Sequence, residues 1–531
     1  MAKDARHALQ RRDVNGAPLD GGPDAARLVQ QGKHLGVWKQ THQRLQHGLP
    51  AATAHQPVVH QRDAHAQGAV PVPPPALTAR RPAASLGKDA ASLSAPLSNP
   101  RQPAKAQRVV YLQHPLLAAP PHAEETADGS GWAWRPVLAE VGLLVWGVGV
   151  QLSEALAALG MVLCLLGVLP PRPGWRTRAL KAWPLWAFVA WCLCVPLLAG
   201  RVPTAGGAAR ILDWCFLPVA ASALGWLGRP ARRRLALVVG AVFLLSCGAA
   251  LCQHWGLWPV ADTFARFRWT GLPFQRMYEP LPGEPSRYMA GGLLLHRLKF
   301  AHVGGLLVLA YLDVGLLRRS RAALGVAAAG ALCVAWLPHA RAASVALVVA
   351  MAVVLALRLS GRWRGWALLG VVLLGTGLLA GVTSLRVRFA QAATDEGSGD
   401  RRWLALSALR AVAEHPLAGV GLGRYHPALF ASADTPEEVV RHAGKAHNQY
   451  LTLAAEAGLP AALLYMAVLL WCWRAVRPKW PLGAAGRASV VFLALVSVLH
   501  DPLFHAEVSM AAVLALGLAQ GVREEEEGEA G

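Results

Sequence analysis

From Arg135 onward the chain alternates between apolar runs of about 15 to 24 residues and short basic loops, the pattern of a polytopic helical membrane protein. Twelve such runs are expected to form spans: Val137 to Gln151, Leu152 to Leu169, Ala182 to Ala199, Ala208 to Leu227, Leu235 to Trp258, Ala301 to Leu317, Ala322 to Leu337, Ala342 to Leu357, Trp366 to Thr383, Leu459 to Trp473, Ala488 to His500, and Val508 to Gly521. The first two run together and read either as one long helix or as a hairpin broken near Ser153. The expected fold class is therefore an all-α polytopic membrane protein, with about 12 transmembrane helices and a large outward loop, residues 384–447, before the tenth. Residues 1–134 are rich in Ala, Pro, Gln, His and Arg and show no sustained helical or strand period, so they read as a disordered extension. A second reading of this extension is that it is not native coding sequence, since its composition resembles translation of a GC-rich upstream region. The acidic residues 522–531 read as a solvated tail.

Charge changes the picture only once it is placed along the chain. Of the formal +21, residues 1–134 hold 15 Lys/Arg against 9 Asp/Glu, residues 135–521 hold 36 against 17, and the tail holds one Arg against five Glu. The excess thus belongs to the apolar part, which argues against a nucleic-acid partner and for a topological signal. Alternate loops carry 18 basic residues with no acidic one among them, at Arg172–Lys181, Arg229–Arg234, Arg318–Arg321, Arg358–Arg364 and Arg474–Arg487. These loops are expected in the cytoplasm together with both termini, which places the longer, mixed-charge loops outside. All ten histidines after residue 135 fall in or at the edge of those outward loops, a sorting that was not used to assign the topology. The polar chemistry is expected on the outer face.

Several features carry less. The eight cysteines all lie in apolar runs and read as small hydrophobes. The nine histidines of the extension lack metal-ligand spacing, so no metal site is expected. Many of the 20 tryptophans flank spans, as interfacial anchors do. Glu140, Glu154, Asp213, Asp313 and Glu507 lie within spans and raise a transporter alternative, but no internal repeat of the transporter kind is visible.

Two outward loops are long enough for chemistry. The first, Pro259 to Phe300, contains Arg287, His296 and Lys299. The second contains an amphipathic stretch, Arg401 to Glu414, followed by Pro416-Leu-Ala-Gly-Val-Gly-Leu-Gly423. That Gly-x-Gly-x-Gly does not follow a strand, so it reads as a turn allowing close backbone approach rather than a dinucleotide site.

Gly399-Asp-Arg-Arg-Trp403, Glu414-His-Pro-Leu-Ala-Gly-Val-Gly-Leu-Gly423 and Ala446-His-Asn-Gln-Tyr-Leu451 with Glu456-Ala-Gly458, in this order, resemble the hallmark region of the O-antigen ligase and polymerase superfamily. Ala340-Arg-Ala-Ala-Ser344 and His296-Arg-Leu-Lys-Phe-Ala-His302 are weaker echoes, the latter with Lys299 where Thr is commoner. The resemblance implies transfer of a glycan from an undecaprenyl-diphosphate-linked donor to an acceptor hydroxyl at the periplasmic face of a bacterial inner membrane, without a cofactor or an essential metal. Acceptors consistent with it are lipid A core (ligase), a growing O-antigen chain (polymerase) or a protein hydroxyl. The absence of a large soluble part after the last span favours the first two, with ligase preferred.

Residue types fit that chemistry. Arginine forks bind diphosphate oxygens and stabilise the charge of the leaving group, and the candidates are Arg341, Arg401, Arg402, Arg210 and Arg287. Interfacial snorkelling is the plain alternative for each. His447, just outside a helix, is the expected base that takes the proton of the acceptor hydroxyl, with His296 and Tyr450 as substrate-binding candidates. Asn448 is expected to cap the following helix. If that helix is continuous, Glu456 lies about 180° from His447 and reads as structural.

Overall fold

The computed structural model describes residues 134–169, 180–257, 280–281, 284–381, 395–436 and 445–521. The expectations for the extension, the acidic tail, His442 and parts of both long loops lie outside the described residues. The rest is helical apart from one two-stranded antiparallel hairpin, β1 (Pro280–Leu281) and β2 (Glu284–Tyr288). The helices are α1 (Trp134–Leu152), α2 (Glu154–Val168), α3 (Trp183–Leu198), α4 (Ala205–Leu212), α5 (Leu217–Gly225), α6 (Arg229–His254), α7 (Arg297–Arg318), α8 (Arg321–Trp336), α9 (Arg341–Arg358), α10 (Gly361–Gly381), α11 (Asp395–Glu414), α12 (Gln449–Ala457), α13 (Leu459–Ala475), α14 (Gly483–Leu499) and α15 (Ala506–Gly521). Each of the twelve expected apolar runs coincides with a helix or, for the fourth, with a broken pair. Among the described residues five helical segments are long and apolar enough to cross a membrane: α1, the run Ala205–Gly225, α6, α7 and α9.

The apolar runs fold this way because every backbone polar group in an apolar surround must be paired within its own segment. Ser153 adopts an extended conformation (φ −161°, ψ 135°) and splits the first run into the hairpin α1–α2. Its two arms are in backbone contact, because a Cβ at Gly142 would sit 2.6 Å from the Cys164 nitrogen and one at Gly167 2.7 Å from the Ala139 nitrogen. Small residues at such crossings let dispersion contacts replace the missing hydrophobic drive. The fourth run is interrupted: α4 passes into a 3-10 turn, Asp213–Phe216, before α5 begins with Pro218 in its first turn. Proline lacks the amide that would continue the ladder, and this is where the helix breaks.

Buried aromatic side chains tie the outer helices together. The rings of Phe188 (α3), Trp214 (3-10 turn) and Tyr465 (α13) lie 5.9 to 6.3 Å apart, and Tyr450 of α12 joins them at 5.8 Å from Tyr465.

Three of the five acidic residues of the spans, Asp313, Glu140 and Glu507, have basic partners. Asp313, fully buried, pairs with Arg358 and also accepts from the Ala485 amide at 3.0 Å, while Arg358 donates to the Trp480 carbonyl at 2.6 Å. Glu140 pairs with Arg234 at 2.7 Å and Glu507 with Lys299 at 2.6 Å. These three ion pairs tie helices to one another, whereas Asp213 is buried against Ser509 and Glu154 is exposed. Asp313, Arg358 and Trp480 gather segments expected on the inner side, whereas contacts among His296, His302, His500 and His505 gather those expected on the outer side.

Candidate functional site

The site is built around the start of α12. The Asn448 side chain accepts the Leu451 amide at 3.0 Å, which caps the helix, and its Nδ2 donates to the Val498 carbonyl at 2.9 Å, which pins the cap to the end of α14. Gln449 donates its amide to the His500 carbonyl (3.1 Å) and accepts from the Leu503 amide (3.0 Å). The loop 445–448 is thereby cross-linked to the loop 500–505. Between these fixed points His447 is held at φ +52°, a left-handed conformation that costs a non-glycine residue energy and persists only where the surroundings impose it.

Asp501, buried beneath His447, accepts from Thr452 Oγ1 at 2.6 Å, and the backbone amide of His447 lies against its carboxyl. Burial raises its proton affinity, and Thr452, His447 and Lys445 oppose that rise. His447 stays accessible, yet the protein packed around it holds its imidazole below the usual histidine value, chiefly by desolvation and against the pull of Asp501. It is therefore a neutral acceptor at neutral pH. The Lys445 ammonium packs on the ring of Phe504 and is pushed down to about 7, first by burial and then by Arg210, with Asp501 and Glu456 acting the other way. The Arg210 guanidinium lies 4.8 Å from the centre of the same ring and 3.8 Å from the Glu456 carboxylate.

Arginines close the other side. Arg341, the first residue of α9, lies within electrostatic reach of both Arg297 and Arg401, and burial beside Arg341 lowers the Arg401 pKa. Burial holds His505 well below the usual histidine value, and the cations Lys445 and Lys299 act in the same direction. The rings of His296 and His505 are 4.9 Å apart and those of His302 and His500 5.6 Å. Five cationic side chains (Arg210, Arg297, Lys299, Arg341, Arg401), with Lys445 as a sixth below about pH 7, thus face three carboxylates (Glu456, Asp501, Glu507). With the histidines neutral, the positive excess suits a multiply charged anion.

The glycine-rich turn 416–423 supports this arrangement from below. Its Val420 and Gly421 amides donate to the Ala455 and Glu456 carbonyls at 2.8 and 2.9 Å, the Gly458 amide serves Ala454, and Trp191 Nε1 serves Ala457 at 3.1 Å. All four terminal carbonyls of α12 are satisfied in this way. Gly419 (φ +62°) and Gly458 (φ +87°) permit it, since a Cβ at either would collide with backbone across the turn. What the glycines approach closely is the helix end itself, and the turn holds Glu456 in place.

The segment spanning α8 to the first half of α13, residues 326–466, matches the family model described as O-antigen ligase. Residues 326–466 form an O-antigen ligase domain. No curated relative matches the chain at a significant level. The O-antigen ligase domain contributes Arg341, Arg401, Lys445, His447 and Glu456 to the site. Arg210, Arg297, Lys299, Asp501 and Phe504 come from outside the matched segment and complete it.

The expected residues Arg210, Arg341, Arg401 and His447 are brought together, and His296 joins them through His505. Arg402 is exposed on α11. Arg287 is ion-paired to Glu284 at 2.9 Å on β2, and belongs with a second cluster in which His254 Nδ1 donates to the Tyr288 carbonyl (2.8 Å) and the ring stacks on His339. Tyr450 turns into the bundle, donating to the Ala494 carbonyl at 3.1 Å, so its hydroxyl is already engaged. Glu456 pairs with Arg210, not with His447. The helix starts only at Gln449, so a period counted from His447 does not place Glu456, and its carboxylate shares the field of Lys445 and Arg210. His415 and His426 serve locally, His415 beside Arg201 at 3.0 Å and His426 as a cap on Ala428.

Sequence reasoning did not single out Asp501, Lys445, Arg297 or Phe504. The usable signal was His500-Asp-Pro-Leu-Phe-His505, an acid flanked by two histidines in a short outward loop.

Proposed function

We propose that the protein transfers a glycan from an undecaprenyl-diphosphate-linked donor to an acceptor hydroxyl at the periplasmic face, as an O-antigen ligase acting on lipid A core. The observation that carries this is the meeting of a neutral, accessible His447 over buried Asp501 with an excess of arginine and lysine, at one end of a bundle that contains an O-antigen ligase domain. In this reading the diphosphate binds among Arg341, Arg401, Arg297 and Arg210. The acceptor oxygen attacks the anomeric carbon and gives its proton to His447, the bond from that carbon to the phosphate oxygen breaks, and undecaprenyl diphosphate leaves with its developing charge held by the guanidinium groups. Asp501 positions His447 and favours the imidazolium that forms.

A polymerase would use the same chemistry on a growing chain, and a protein O-oligosaccharyltransferase would use it on a protein hydroxyl. Gel analysis of lipopolysaccharide from a strain lacking the gene separates them. Polymer still built on the lipid carrier but missing from lipid A supports the ligase, single capped units support the polymerase, and unaltered lipopolysaccharide refutes both. Complementation by wild type but not by His447→Ala ties the outcome to the site.

A further inference from the structure

Helices α1, α5, α6, α7 and α15 line a half-open cavity of about 200 Å³ that runs along α7 from Val303 to Arg318, its basic end being the one away from this site. Its walls are apolar, with Leu306, Ala310 and Leu514 among them, and its lining includes two arginines, Arg232 and Arg318, and no carboxylate. Both arginines lie in the basic loops expected on the cytoplasmic side, Arg318 exposed at the last position of α7 and Arg232 in the first turn of α6. Nearby Arg234 pairs with Glu140, and Arg232 itself donates one guanidinium N–H to the Leu224 carbonyl at 3.2 Å, so the two lining arginines are the cations on the wall of this space. Tyr311 spans the wall, donating to the Ala236 carbonyl at 2.5 Å, and Gly240 leaves the room for its ring.

An apolar void larger than a benzene-sized cavity loses dispersion contacts at its walls unless hydrocarbon fills it. Arginines at one end of such a cavity add recognition of a phosphate at the cytoplasmic surface. We propose that this cavity binds an anionic glycerophospholipid of the cytoplasmic leaflet, one acyl chain between α6, α7 and α15 and its phosphate at Arg232 and Arg318. The polyprenyl donor does not fit this arrangement, because its diphosphate belongs with the arginines at the other end. The site is separate from the transfer reaction and stands whether or not the proposed activity does.

The test is native mass spectrometry of the purified full chain, exchanged into mixed micelles containing equal phosphatidylglycerol and phosphatidylethanolamine. The wild type is expected to retain phosphatidylglycerol with a preference of roughly 30-fold, about 2 kcal/mol for two arginines. Arg232→Gln with Arg318→Gln should lose the preference while still holding lipid, and Ala310→Phe should lose the retained lipid of either kind, with unchanged helicity by circular dichroism. Equal retention of the two lipids by the wild type overturns the proposal. So does a preference that survives the double substitution, or a polyprenyl phosphate as the retained species.

Discussion

Asp501→Asn removes one charge from the centre of the site while keeping its size. The wild-type carboxylate is buried, takes a 2.6 Å hydrogen bond from Thr452 and faces the cations Lys445 and, in the transition state, protonated His447. A hydrogen bond to a charged group contributes about 1.5–3 kcal/mol, and losing one partner of a buried charge pair costs about 3–5 kcal/mol. These terms overlap rather than add, so about 3 kcal/mol of transition-state stabilisation is at stake, which corresponds to roughly a 10²-fold fall in kcat/KM. The pH dependence carries a sign as well. A general base works when neutral, so activity is lost as pH falls through the pKa of His447, which already lies below the usual histidine value. Asp501 raises that pKa, so neutralising it must lower the pKa further and move the acid limb of the profile to lower pH. Both quantities can be read from transfer assays with purified protein in nanodiscs, a lipid-linked donor and core acceptor, between about pH 4 and 9. A variant with the wild-type rate, or one whose acid limb stays in place or moves up, would refute the assigned roles of Asp501 and His447.

Other outcomes follow from the same geometry. His447→Ala and Arg341→Ala should abolish surface glycan assembly while the protein still inserts, checked by membrane fractionation beside the lipopolysaccharide gel. Lys445 is charged below about pH 7 and neutral above it, so donor KM should rise as pH increases through that value, and the rise should vanish in Lys445→Gln. Gly458→Ala forces a Cβ against the turn at a positive φ, and should lower the thermal midpoint and the activity together, by at least about 1–3 kcal/mol of stability. Glu456→Gln leaves half-buried Arg210 without its carboxylate and should destabilise the fold by no more than about 3 kcal/mol, read as a fall in Tm; an unchanged Tm would show that the 3.8 Å pair contributes little.

Local apolar patterning is enough to specify the helices, because an apolar run has one way to satisfy its backbone, and that rule acts within each segment regardless of its neighbours. The sequence also indicated the paired ends of the bundle through the sorting of arginine and histidine, and it singled out His447, Arg341 and Arg401 from motifs contained within one stretch of chain. Tertiary structure alone decided the rest. Ser153 makes a hairpin because glycines on both arms meet, and the 3-10 turn Asp213–Phe216 before Pro218 packs on α15 and α3. Asp501 reaches His447 from about fifty residues away, Arg210 and Glu456 meet across more than two hundred, and Tyr450 turns inward to a carbonyl of α14. Periodicity reports which face of a helix is apolar, but which charge stands opposite which depends on how separate helices dock, and that is set by packing no local pattern encodes.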